Sequence, residues 1–244
     1  MTKDKKYAEL VAEAQNDPNI IGFILGGGRG KGQFTEHSDY DPELIAIDGP
    51  TAIAEYKKYT EKDVIDSIHA FTVEEFRRHA EIGSEFAWDR YNYAHNTIVF
   101  DKVGGLQKII DEKGAIPAGK EREIVEENIG GYMNYVYRML KNFRDGNLFA
   151  SKLSSAESIP WLLTALFAVE NRVRPYNKFL KWDLEKYPLA DFPLTPDEFL
   201  KQIEIIISSG DITAQKALFK VCIAFFRTKG FTKTIDSWEG SRFE

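Results

Sequence analysis

The chemistry-bearing stretch of this chain is Gly26-Gly-Gly-Arg-Gly-Lys-Gly32, followed by Ser38-Asp39-Tyr40-Asp41. Glycines placed directly after an apolar strand let backbone amides approach a phosphate closely. Asp39 and Asp41 are one residue apart, so on extended backbone both carboxylates project to one face. Two carboxylates aimed at one spot repel unless a cation lies between them. A hard ion such as Mg2+ is held by one or two carboxylates together with substrate phosphates, which is what this pair offers beside a glycine turn. The competing reading is an exposed acidic turn, since Pro42 interrupts strand pairing and Asp favours turns. A P-loop is excluded, because Lys31 is followed by Gly32 where that motif needs Ser or Thr. A dinucleotide-binding turn fits poorly, because the glycines lead into a turn-rich loop ending in two aspartates and not into a helix.

These residues need a scaffold, and the first 115 or so positions read as strands interleaved with helices. Tyr7, Leu10, Val11 and Ala14 recur at helical spacing, and Asp17-Pro18 ends that helix. Ile20 to Leu25 reads as a strand, as do Leu44 to Ile47, Val64 to Phe71 and Thr97 to Phe100. Thr72 with Glu75 has the spacing of a capping box. After Pro117 every long segment has helical periodicity, beginning with the stripe Val125, Ile129, Tyr132, Val136, Leu140 and Phe143. Ser158 is placed to cap a helix running through Ala168, Thr195-Pro196-Asp197-Glu198 has the composition of a helix start, and Asp211 opens the helix that carries Cys222. Gly114, Pro117 and Gly119 mark a boundary, dividing the chain into 1–117 and 118–244.

The overall balance narrows the partners. The chain has 244 residues, with 32 Lys and Arg against 38 Asp and Glu and a net charge of −6, so a long nucleic acid is disfavoured. The N-terminus lacks the apolar core of a signal peptide, and the longest apolar run, Trp161 to Val169, is far short of the ~20 residues of a membrane span. A cytoplasmic protein without a membrane partner is expected. Cys222 is the single cysteine and lies in an apolar segment, which suits a buried thiol better than a nucleophile. The four histidines, His37, His69, His79 and His95, show no metal-ligand spacing, although His37 adjoins Ser38-Asp39. Tyr132, Tyr135 and Tyr137 lie on a helix that is a candidate to line an acceptor cleft, although aromatic residues at such spacing are more often core, and Trp88 with Tyr91 to Tyr93 shows no clear chemical pattern.

The strand Ile20 to Leu25, the pair Gly27-Gly28, and Ser38-Asp39-Tyr40-Asp41 before an apolar strand together resemble the signature of the nucleotidyltransferase superfamily, that of DNA polymerase beta and of the aminoglycoside and lincosamide nucleotidyltransferases. The motif spans some 30 residues, and the likeness continues loosely through a helical C-terminal half. Two positions depart from it: Gly28 stands where Ser is frequent, and Pro42 stands where an apolar residue follows the second Asp. The resemblance implies an α+β fold, with an N-terminal catalytic domain built on a small mixed β-sheet flanked by helices, and a C-terminal α-helical bundle that closes on substrate.

Carried over by position, Gly27 and Gly28 would bind a triphosphate, Ser38 would orient it, and Asp39 and Asp41 would hold one or two Mg2+ ions. Asp66, within Val64 to Phe71, is the candidate third carboxylate, as a metal ligand or general base. Lys178 is the candidate basic residue from the helical half, with Arg172 and Arg174 as rivals or as plain ion-pair partners. The implied reaction moves a nucleoside monophosphate, AMP from ATP first among them, to a hydroxyl of a small molecule such as an aminoglycoside-like or lincosamide-like antibiotic, releasing pyrophosphate. A monomer or homodimer is expected. The alternatives are a protein-modifying relative of the toxin–antitoxin type and a catalytically silent protein that binds nucleotide or a partner through the same cleft.

Overall fold

The computed structural model describes residues 2–238. It is an α+β protein whose chain forms two compact units, Met1–Ala115 and Ile116–Glu244.

The first unit is a three-layer sandwich. Helix α1 (Lys3–Asn16) is capped by the Thr2 side chain, which accepts from Lys5 N–H, and leads into strand β1 (Ile20–Leu25). After the four-residue helix α2 (Gly27–Gly30) come β2 (Pro42–Ala46), α3 (Ile53–Tyr56), β3 (His69–Phe71), α4 (Val73–Arg78), α5 (Arg90–Tyr93), β4 (Phe100–Asp101) and α6 (Leu106–Lys113). The sheet order is β3-β2-β1-β4, with β1 antiparallel to both neighbours and β2 parallel to β3, so the sheet is mixed. One face carries Phe23, Leu44, Ala46 and Ala70 against Leu10 and Ala14 of α1. The other carries Ile24 and Ile45 against Phe76, Tyr93, Leu106 and Ile110. Both faces of β2 are therefore covered, which is why Leu44-Ile45-Ala46 is an unbroken apolar run.

Several boundaries differ from the sequence reading. Strand β2 begins at Pro42 and not at Leu44; Pro is tolerated at the first residue of a strand, and Pro42 here stands opposite Leu25. Ile47, read as its last residue, is 66% exposed. The run Val64 to Phe71 is a strand only from His69 onward. Upstream, Asp63 takes a left-handed backbone (φ 62°) and Glu61 bridges Ile65, so the chain turns where its composition favours extension. The fourth strand is Phe100–Asp101, with Val99 N–H already donating to Phe23 O at 2.8 Å.

Among the described residues the second unit carries the helices α7 (Glu121–Arg144), α8 (Leu148–Val169), α9 (Leu180–Lys186), α10 (Pro196–Ser209), α11 (Ile212–Thr228) and α12 (Thr232–Ser237), and no strand. A three-residue turn joins α7 to α8, and their facing stripes, including Ile129, Val136, Ile159 and Leu166, form the core of this unit. Thr195 and Glu198 form a reciprocal capping box at α10, and Asp211 Oδ1 caps α11 by accepting from Ala214 N–H. Ser158 does not cap a helix. It lies fully buried inside α8, which starts ten residues earlier with Asn147 as its cap, and its hydroxyl donates to Ser155 O. Buried Ser and Gln215 satisfy one another there, so a polar residue in the middle of a core helix reads falsely as a start. Cys222 is fully buried and burial pushes its thiol pKa well up, which makes it an inert core residue.

Candidate active site at the end of the central strands of the first unit

Strand β1 delivers the chain into a turn that only glycine can make. Gly27 has φ +60°, and a Cβ added there would lie 1.8 Å from Asp41 Oδ2. The Asp41 carboxylate thus rests directly against the glycine turn, and Gly26 N–H donates to Asp41 O at 2.8 Å. At Gly28 a Cβ would stand 2.5 Å from the carbonyl oxygen of Gln33, whose N–H donates to Gly28 O at 2.7 Å. The loop folds back onto this position, which accounts for Gly where Ser is frequent in the resembling signature.

A second segment, which the sequence reading assigned no role, locks this turn in place. All four residues of α5 are buried. Asn92 Oδ1 accepts from Gly27 N–H at 2.7 Å, while its Nδ2 donates to Glu43 Oε1 at 2.8 Å. Tyr93 Oη donates to the other oxygen of Glu43 at 2.9 Å. Asn96 Nδ2 donates to Leu25 O at 2.8 Å, and the buried Lys31 ammonium donates to Asn92 O at 3.0 Å and to Ala94 O. Arg90 anchors the segment from below by donating to the carbonyls of Ala80, Glu112 and Ala115. The turn, α5 and the start of β2 therefore form one hydrogen-bonded unit.

Glu43 lies two residues beyond Asp41, on the same face of the strand direction. Burial, reinforced by the negative charge of Asp89, pushes its pKa up to about 8, against the lowering effect of the Tyr93 hydrogen bond. Its sequence signal was present, a carboxylate inside the apolar run Pro42 to Ala46. Asn92 offered no comparable signal, because an Asn between two tyrosines marks neither a cap nor a turn.

The remaining expected site residues divide. Asp39 is half-buried, two residues before Asp41. Ser38 organises the loop ahead of it: its Oγ accepts from Thr35 N–H at 3.0 Å and its carbonyl accepts from Arg29 Nε at 3.2 Å. The Arg29 guanidinium lies 4.1 Å from the Tyr40 ring centre and 4.7 Å from that of Phe34, and 3.6 Å from Asp4. His37 is exposed and lies 3.5 Å from Glu36.

Asp66 is not inside an apolar strand. It is exposed in the loop before β3, and its Oδ1 accepts from Asp63 N–H at 2.5 Å, which stabilises that turn. Among the described residues no group of three or more His, Cys, Asp or Glu side chains is placed to hold a metal ion, so Asp39, Asp41 and Asp66 do not gather into a triad. Asp39 and Asp41, beside the glycine turn, are the residues whose carboxylates would hold a hard divalent ion. Lys178 belongs to the second unit, exposed on the 3-10 turn Asn177–Phe179 with Nζ 4.7 Å from the Phe179 ring centre. Arg172 is a structural ion-pair residue, bound to the buried Asp183, to Glu170 at 3.2 Å and to Tyr187 O at 2.8 Å. Arg174 donates to Asn177 Oδ1 at 3.0 Å.

Among the described residues no helix is long and apolar enough to cross a membrane. No family model and no curated protein matches the chain. A solved structure of a nucleotidyltransferase-like protein from Exiguobacterium sibiricum is similar to it at a TM-score of 0.44 and 12% identity, covering 98% of this chain and 80% of that one.

Proposed function

We propose that the first unit is the catalytic half of a Mg2+-dependent nucleotidyltransferase that moves a nucleoside monophosphate, AMP from ATP first among them, onto a hydroxyl of a small molecule. The observation that supports this reading is the seating of the Asp41 carboxylate against the Gly27 turn at the end of β1. That arrangement sets a cation-binding oxygen beside backbone suited to phosphate. Gly27 and Gly28 supply the close-approach surface for the triphosphate, and Ser38 holds the loop that carries Asp39. Asp39 and Asp41 would hold Mg2+, whose chemistry is to neutralise charge on the triphosphate as pyrophosphate leaves. The acceptor oxygen bonds to the α-phosphorus as the bond to the β-phosphate oxygen breaks, and the hydroxyl proton departs. Asp66, committed to its own turn, stays outside the metal set. The resemblance directs the acceptor screen first to amine-bearing antibiotics of the aminoglycoside and lincosamide kinds, and Lys178 is the residue of the second unit to test for triphosphate contact.

The test is thermal unfolding with Mg2+ and a non-hydrolysable ATP analogue, on the wild type, Asp39→Asn and Asp41→Asn. A ligand that binds only the folded state at ~100 times its dissociation constant adds about 2.7 kcal/mol. The expected result is stabilisation of the wild type only when metal and nucleotide are both present, lost in both variants. Pyrophosphate release in the presence of candidate acceptors then follows turnover.

One observation favours a second reading, a catalytically silent protein of this architecture. The Gly27 N–H is already taken by Asn92, and the positions a Cβ would take on Gly27 and Gly28 are met by the chain's own Asp41 and Gln33. In that case Asp41→Asn leaves metal-linked stability unchanged and no acceptor releases pyrophosphate.

A further inference from the structure

Two surface patches outside the candidate site carry large apolar side chains and charges of opposite sign. On the first unit, the segment from Glu81 to Asp89 exposes Ile82, Phe86 and Trp88, the last at 67%. Its charged residues are Glu81, Glu85 and Asp89, all acidic; Asp89 is engaged with His79 at 2.9 Å, while Glu81 and Glu85 face solvent. On the second unit, the end of α7 and the first turns of α8 expose Phe143, Leu148, Phe149 and Leu153, with Phe149 at 79%. Beside it lies a groove of about 290 Å³ whose apolar lining is Tyr137, Leu140, Phe143 and Ile212, and whose charged lining is Lys141, Arg144 and Lys216. Every charged residue of that groove is cationic in a chain of net charge −6; Arg144 shares its charge with Asp145 at 2.8 Å.

Isolated exposed apolar residues need no explanation, whereas clusters of this kind mark interaction surfaces. We infer that the two patches are complementary halves of one contact between two copies of this chain, in which Trp88 of one copy enters the α7–α11 groove of the other and Glu81 and Glu85 face Lys141, Arg144 and Lys216. The match is of an exposed apolar anchor to a partly apolar groove, and of opposite charge. Trp88 is an exposed aromatic, the residue type that most often anchors interfaces, and the groove's lining includes Tyr137, Leu140, Phe143 and Ile212. Its cationic residues suit both the carboxylates and the face of an indole. Because the two patches differ, a two-fold pair makes the contact twice, and a pair that fails to close extends into a chain of copies. This inference is independent of the nucleotidyltransferase reading.

The experiment is sedimentation velocity of the full chain over a concentration series, at low and high salt. Association is expected, to twice 27.9 kDa or beyond, weakening as salt screens the facing charges. Three surface variants assign it: Trp88→Ala, the reversal Glu81→Lys with Glu85→Lys, and the reversal Lys141→Glu with Arg144→Glu and Lys216→Glu. Each alone is expected to be monomeric while keeping the wild-type circular dichroism and unfolding midpoint. Mixing the two charge-reversed proteins restores opposite signs across the contact and is expected to restore association between them. A wild type that stays monomeric up to about 100 μM, where contacts of micromolar dissociation constant are saturated, overturns the inference. So does association that survives all three variants, or a failure of the mixed reversals to associate when each is folded. Binding of the monomeric wild type to phosphatidylglycerol vesicles would assign the α7–α8 turn to a lipid surface instead.

Discussion

The Asn92 side chain makes two hydrogen bonds in opposite senses, accepting from Gly27 N–H and donating to Glu43. Asn92→Ala leaves a buried carboxyl oxygen and a backbone N–H of the turn without their partners, at roughly 1–3 kcal/mol each. Urea unfolding should show a loss of about 2–6 kcal/mol. Glu43 makes a pH prediction. Burial raises its folded-state pKa to about 8 from an ordinary value of 4.5, so the native chain binds more protons than the unfolded chain between those limits. The contribution of Glu43 is fully present below about pH 4.5, falls as pH rises and is gone above about pH 8. Lys113 acts in a separate window. Burial, aided by the Arg90 charge, lowers its pKa to about 8, so its penalty is relieved as pH rises from there toward 10.5. Glu43→Gln, which keeps an acceptor for Asn92, should therefore flatten the fall in stability between pH 5 and pH 8, by up to about 5 kcal/mol at full shift. An unchanged slope would show that Glu43 ionises normally.

At the scale of elements, what was legible in the sequence was local. The span of β1, the capping box of Thr72 with Glu75, the helix start at Thr195 and the Asp211 cap all lie where the residues put them, because each is decided locally along the chain. The glycine turn was legible as a turn, whereas the reason for each glycine was not. Gly28 is required by Gln33 O, and Gly27 by Asp41, fourteen residues further on. Gly28→Ser, which would bring the sequence nearer to the signature it resembles, should destabilise by about 1–3 kcal/mol, since the obstructing atom is backbone and cannot swing aside. Chemical denaturation compared with a control at Gly32, where a Cβ meets open space but φ is +67°, separates the steric cost from the conformational one.

The whole molecule holds two sets of cores that share no members, one on the two faces of the sheet and one among the helices. Scanning calorimetry should therefore resolve two transitions, and Mg2+ with the ATP analogue should raise the one belonging to residues 1–115. Limited proteolysis between Gly114 and Lys120 identifies which transition is which. A single transition that moves as one would show that the units unfold together.

The amino-acid sequence by itself determined a first half of strands interleaved with helices, the helical second half and the glycine-to-aspartate segment, because periodicity, caps and glycine runs act over a few residues. Only the tertiary structure decided which side chains meet. Asp66 lies in an exposed loop and accepts from Asp63 N–H, in a left-handed turn that the composition does not announce. Asn92 and Glu43, 49 residues apart in the chain, became partners because β2 lies at the centre of the sheet and α5 packs over it. Buried polar groups take whatever partner the fold brings within reach, since an unmet hydrogen bond in the interior costs more than any local preference.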